Sequence, residues 1–146
     1  MTIAIDIAPP FQSLVSAERL VATAQAALDH LRAQGDLTLV VVEDAEIADL
    51  NRRFLGGEGP TDVLSFPAQG EDDFVTPPDL APYLGDIIIA YPYAARQAAA
   101  QGHAVAAELD LLVVHGVLHL LGFDHADEAE KKHMWAQQDA ILMRKT

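Results

Sequence analysis

The apolar positions of this chain change period several times, and each change marks an element. Thr2 to Ala8 alternate β-branched and small side chains as a strand does, and Pro9 and Pro10 end it. From about Ser16 to Gln34, Leu20, Ala24, Ala27, Leu28 and Leu31 fall on one face of a helix, with Gly35 placed as its C-terminal stop. Leu37 to Val42 is a nearly continuous β-branched run, which predicts a strand covered on both faces. Asp44 is placed to cap a helix from about Ala45 to Leu55, which turns Ile47, Leu50 and Phe54 inward and spreads Asn51, Arg52 and Arg53 over the remainder. The GGEG at 56 to 59 then breaks the helix as a plain turn, since it leads into a strand and lacks the Lys-Ser/Thr end of a phosphate-binding loop.

Asp62 to Phe66 reads as the third strand, closed by Pro67, and residues 68 to 82, with GEDD and PP, read as a loop between strands. Gly85 to Ala90 is the fourth strand. Pro92 is placed for the first turn of an Ala-rich helix ending near Gly102. The next helix, about Ala104 to Leu121, is apolar nearly all round between Leu109 and Val114, the mark of a helix buried in the middle of a domain. Asp127, Glu128 and Glu130 suit the N-terminus of a last helix whose packing face is Met134, Trp135, Ile141 and Leu142. Four strands interleaved with five helices predict an α/β (α+β) domain with a mixed sheet.

Composition narrows the chemistry. A chain of 146 residues that is 51% hydrophobic fits one domain, spanning 1–146, able to bury its own core. With no cysteine, disulfides and thiolate metal sites are excluded together, so a bound transition metal must use histidine and carboxylate. The N-terminus lacks a basic region before its short apolar run, and no segment reaches 18 uninterrupted apolar residues; the expectation is a cytoplasmic protein with no membrane partner. Twenty-two acids against nine bases give a net charge of −13, which opposes non-specific attraction to phosphates. A nucleic-acid enzyme of this balance needs a local positive site and a partner that delivers substrate, and DNA is not expected.

The candidate chemistry lies in LLVVHGVLHLLGFDH, residues 111 to 125, where His115, His119 and His125 form H-x-x-x-H-x-x-G-x-x-H. Residues four apart on a helix share a face about 6 Å apart along the axis, so His115 and His119 can share one metal ion. Gly122 can end the helix in the left-handed conformation and return His125 to the same point. Three imidazoles with an open fourth position suit one catalytic zinc per chain. Metzincin peptidases carry a glutamate directly after the first histidine as general base; here Gly116 stands there, which argues against peptide hydrolysis. Asp124 has two readings, orienter or base at the metal, or cap of the turn after Gly122. Glu108, two turns before His115, is either a carboxylate behind the ligands or a surface or pairing residue. His30 reads as a surface residue, and His103 and His133 lie outside the spacing.

HGVLHLLGFDH resembles the signature H-G-x-L-H-L-x-G-[YF]-D-H of the YbeY family, endoribonucleases that take part in ribosomal RNA maturation. Asn51 with PTDVLSFP at 60 to 67 resembles that family's second motif. The resemblance implies a zinc-dependent, single-strand-specific endoribonuclease acting on a ribosomal RNA precursor at the 3′ end of 16S rRNA, in contact with a ribosomal subunit or a ribosome-associated protein. It also implies that Asn51, Thr61, Asp62 and Ser65 lie along the cleft beside the metal and contact a nucleotide backbone. One departure stands out: where the family pattern N-x-x-[FY]-R has an arginine thought to act on substrate, this chain has Leu55. In a regular helix Arg52 projects some 60° from the position-55 direction and Arg53 about 160° away, which makes Arg52 the natural catalytic substitute. The competing reading is a non-catalytic ribosome-assembly or RNA-binding factor whose zinc is structural, for which Leu55 is the reason.

Overall fold

A computed structural model of the chain describes residues 2–68, 82–123 and 127–145. The stretches read as strands form β1 (Ile3–Ile7), β2 (Asp36–Val42), β3 (Val63–Pro67) and β4 (Tyr83–Ala90). The stretches read as helices form α1 (Ala17–His30), α2 (Asp44–Leu50), α3 (Tyr91–Gln101), α4 (Val105–Leu120) and α5 (Glu128–Lys145). The sheet runs β1-β2-β4-β3, with β1/β2 and β2/β4 parallel and β3/β4 antiparallel. This is the mixed four-stranded sheet with five helices that the patterning predicts. Residues 69–81 of the expected loop lie outside the described residues.

One face of the sheet carries the main core. Leu37, Leu39 and Val41 of β2 and Ile87 and Ile89 of β4 meet Leu20 and Leu28 of α1, Val113 and Val117 of α4, and Met134 and Ile141 of α5. Helix α4 packs against α1, α3, α5 and the β3–β4 side of the sheet, which is why its sequence is apolar on nearly every side. Two close approaches seat it. A Cβ at Gly116 would come within 2.7 Å of Ile87 Cγ2, and a Cβ at Gly85 within 2.8 Å of Leu120 Cδ2. The one acid inside the apolar run, Asp110, is 4% exposed and takes Arg19 Nη2 at 2.8 Å, Arg19 Nε at 3.1 Å and Thr23 Oγ1 at 3.0 Å. That hydrogen bonding, more than the Coulomb attraction, holds the Arg19 pKa above its ordinary value, and the burial of Asp110 is thereby compensated.

Several expectations need correction. Strand β2 is covered fully on one face only: Thr38 and Val40 stay half-buried, because the opposite face carries a smaller cluster around Val42, Ile47, Leu64, Ile88 and Ala90. Helix α1 ends at His30, not near Gln34, because Arg32 itself takes the left-handed conformation (φ 54°) and Ala33 N–H donates to Leu28 O at 2.9 Å. Gly35 instead admits the close passage of Pro82 O, 2.8 Å from where its Cβ would lie. Asp44 is the first residue of α2 and caps nothing in it; its carboxylate accepts from Tyr93 N–H at 3.0 Å and Arg96 Nη2 at 2.6 Å, tying α2 to the start of α3. After Leu50 the winding widens into a π-turn, Asn51–Leu55, which rotates Phe54 out of the core to 60% exposure. His30 is half-buried rather than at the surface, with Nε2 3.1 Å from Gln137 Oε1 of α5. Trp135 leaves the packing face expected for it: it is 37% exposed and lies edge-on to His115, ring centroids 5.9 Å apart.

Candidate active site

His115 and His119 lie one turn apart in the last half of α4, half-buried, with ring centroids 4.5 Å apart. Their Nε2 atoms are 3.0 Å from each other. Two nitrogens on a tetrahedral ion at about 2.0–2.1 Å stand roughly 3.3 Å apart, so the pair matches two ligands of one ion. Gln138 of α5 places Oε1 3.3 Å from His115 Nδ1. With Nδ1 protonated and donating to that carbonyl, the His115 lone pair is left on Nε2, the atom that faces His119. His125 and Asp124 fall outside the described residues, and among those residues no group of three His, Cys, Asp or Glu comes together to hold a metal.

The two histidines open onto a cleft of about 400 Å³ whose wall is built by Thr61, Asp62, Ser65 and Leu55 together with Val63, Leu64 and Pro67. Sequence-distant blocks thus meet because β3 packs under α4. Ser65 fixes this contact by donating from Oγ to Gly116 O at 3.3 Å. Asp62 is held from three sides: Val63 N–H at 2.7 Å and Thr61 Oγ1 at 3.3 Å on Oδ1, Gln97 Nε2 at 3.1 Å on Oδ2. Gly116 faces the sheet at Ile87, so the position that carries the base in metzincins has no room here for a side chain directed at the histidines.

Asn51 stands apart from this wall. Its Nδ2 donates to Gly59 O at 3.2 Å and its backbone carbonyl takes the Gly57 N–H at 3.2 Å, so it holds the glycine turn that carries the chain from the π-turn to Thr61. Arg52, 72% exposed, turns onto Asp49 Oδ1 at 2.7 Å, and Arg53 reaches the same carboxylate at 3.3 Å. Neither arginine is among the residues that line the cleft, whereas Leu55 is. Of the two readings of Glu108, its contacts are those of a pairing residue: 1% exposed, it is 2.6 Å from His103 Nε2 and accepts from Gln97 Nε2 at 3.0 Å. His133 stacks on Phe123, centroids 5.3 Å apart. Sequence reasoning missed Gln138 and Gln97. Their signal is contact between helices far apart in the chain, which spacing within one helix does not carry.

The family model described as Endoribonuclease YbeY matches residues 10–145. The chain belongs to the YbeY endoribonuclease family. It is 44% identical over 155 aligned residues to the Endoribonuclease YbeY of Dehalococcoides mccartyi strain CBDB1, covering 97% of this chain and 92% of the relative. The YbeY of Geobacillus kaustophilus is 43% identical, covering 91% of this chain and 86% of the relative, and that of Salinispora tropica 41%, covering 94% and 93%. The solution structure of TM1509 from Thermotoga maritima superposes with a TM-score of 0.63 at 25% identity, covering 98% of this chain and 88% of that one. The YbeY membership thus extends over both motifs and the fold that joins them.

Proposed function

We propose that this chain is a metal-dependent, single-strand-specific endoribonuclease that matures ribosomal RNA, at the 3′ end of 16S rRNA, in the cytoplasm and in contact with a ribosomal subunit or a ribosome-associated protein. The observation that carries the reading is the convergence of the His115 and His119 Nε2 atoms, 3.0 Å apart, on a cleft walled by Thr61, Asp62 and Ser65. His115, His119 and His125 would hold one zinc-like ion. When bound, such an ion supplies a Lewis acid for phosphodiester hydrolysis at neutral pH. Gln138 keeps the His115 tautomer that presents Nε2, and Asp124 orients an imidazole or takes the proton of the attacking water. Thr61, Asp62 and Ser65 form the wall along which the RNA backbone lies, with Asn51 fixing the turn that leads into it.

A chain of net charge −13 needs cations at the scissile phosphate. Arg52 is the chain's own candidate. Its pair with Asp49 is exposed and worth less than about 1 kcal/mol, so a phosphate can draw it away. The π-turn weakens the simple angular case, because wider winding separates the directions of residues 52 and 55 beyond those of a regular helix. The scaffold reading keeps one specific observation in its favour, the apolar Leu55 in the cleft wall. The two are separated by cleavage rates on single-stranded RNA. Arg52→Ala should lower the rate at least about tenfold with metal content intact, Arg53→Ala less, and Leu55→Arg should raise it, the range expected for removing or adding one charge at the developing phosphorane. A wild-type rate indifferent to Arg52→Ala removes Arg52 from the mechanism; no cleavage by the wild type or by Leu55→Arg favours the scaffold.

A further inference from the structure

Beside the cleft lies a second cavity of about 230 Å³ between α3, α4 and α5, and Asp62 and His115 line both. Its other walls include Gln97, Gln138, Glu108 and Trp135. We infer that this cavity is a nucleobase subsite, selective for a base that carries an exocyclic amine, for the nucleotide adjoining the bond that is cut. The inference rests on the endoribonuclease reading for the source of that base.

The lining disfavours phosphate here more than in the cleft, because Glu108 lines this cavity and not the cleft and adds a second carboxylate to Asp62. Two carboxylates, Asp62 and Glu108, stand in the wall, and neither faces a lysine or arginine in its hydrogen bonding: Asp62 takes Val63 N–H, Thr61 and Gln97, and Glu108 takes Gln97 and His103. Gln97 donates from Nε2 to both carboxylates, at 3.1 and 3.0 Å, which uses both amide hydrogens and leaves its Oε1 as an acceptor. Gln138, 7% exposed, accepts from His115 through Oε1 and keeps its amide nitrogen as a donor. The cavity is thus rich in acceptors with a donor beside them. That suits an amino group next to a ring nitrogen or carbonyl, and it opposes uracil, whose O4 carbonyl would meet carboxylate oxygens where cytosine presents its amine. Trp135 lines the cavity and brings an aromatic ring of the kind on which single-stranded RNA recognition stacks bases, with the Lys131 ammonium 5.8 Å from its ring centroid to accompany the nucleotide's phosphate.

Trp135 is the only tryptophan in the chain, so its fluorescence reports directly on this cavity without any need for catalysis. The full-length protein is titrated with the single-stranded tetraribonucleotides C4 and U4, whose rings have one size and differ chiefly in an amine against a carbonyl. Quenching by C4 with a Kd at least about fivefold below that of U4 is expected, from the loss of one good base contact. Gln97→Ala should erase the difference. By calorimetry, Trp135→Leu should weaken C4 binding roughly tenfold while Trp135→Phe stays near wild type, since a phenyl ring still stacks. Equal quenching by the two oligonucleotides, no quenching by either, or discrimination untouched in Gln97→Ala would overturn the subsite. If single-stranded RNA is nevertheless cut, the nuclease reading survives that loss. Conversely, C4-selective quenching in a protein that cuts no RNA keeps the subsite and removes the nuclease reading.

Discussion

Alanine in place of His115, His119 or His125 is expected to strip the protein of its metal. Purified wild type should carry close to one equivalent of a zinc-like ion, and each variant should bind it at least roughly a hundredfold more weakly. Loss of a mere supporting partner of a ligand already costs 10–100-fold, and here the ligand itself goes. The chain has no cysteine to step in, and among the described residues no third His, Asp or Glu gathers at the pair. The Nε2 atoms of His115 and His119, 3.0 Å apart, make the first two variants the most informative. His103 and His133 serve as internal controls, because they are committed elsewhere, to Glu108 and to Phe123. Elemental analysis after dialysis reads the result, and full occupancy in all three variants would end the assignment.

The second large effect belongs to a residue with no side chain. Gly85→Ala should destabilise the fold by roughly 2–5 kcal/mol, combining a strained backbone with overpacking. Gly85 sits in β4 at φ 140°, where a Cβ would strike the Phe66 carbonyl of β3 and come within 2.9 Å of Pro67 Cα and 2.8 Å of Leu120 Cδ2. Two of these three neighbours are backbone atoms of the adjacent strand, which cannot swing aside. The relevant comparison is Gly102→Ala at the end of α3, also left-handed (φ 74°) but with open space around it, which should cost only about 1–2 kcal/mol. Denaturant midpoints of the two variants should therefore differ clearly. Equal, small losses would mean that α4 and β3 do not close on β4 as described, and that the histidines are not held over the β3 wall.

Much of this architecture was legible because it is local. Alternation, apolar runs, helical periodicity and the Pro and Gly stops located all four strands and five helices among the described residues, and the i, i+4 spacing of His115 and His119 is a property of one helix. The family motifs placed PTDVLSFP beside the histidines, and β3 lies under α4. What escaped is non-local. Phe54 follows the regular helical pattern, yet a π-turn points it outward, and nothing in NRRFL announces the extra residue in the turn. Asp44 has the type and place of a helix cap, but an interaction 52 residues away, with Arg96, takes its carboxylate. Asp110 stands in an apolar run with nothing nearby in sequence to pair it, because its partners, Arg19 and Thr23, lie in α1. Gln138 and Trp135 sit in α5, whose packing register on α4 no spacing rule fixes, and so the support of His115 and the cavity beside it came only from the fold.

The most direct measurement is cleavage of a ribosomal RNA precursor by the purified protein, with and without a chelator, beside His119→Ala. Endoribonucleolytic cleavage within single-stranded segments is expected. It should be lost on chelation, restored by added zinc-like metal, and reduced to background in His119→Ala with its helical content unchanged. Cleavage that persists undiminished in chelator and in His119→Ala would contradict a metal-dependent centre at the histidine pair.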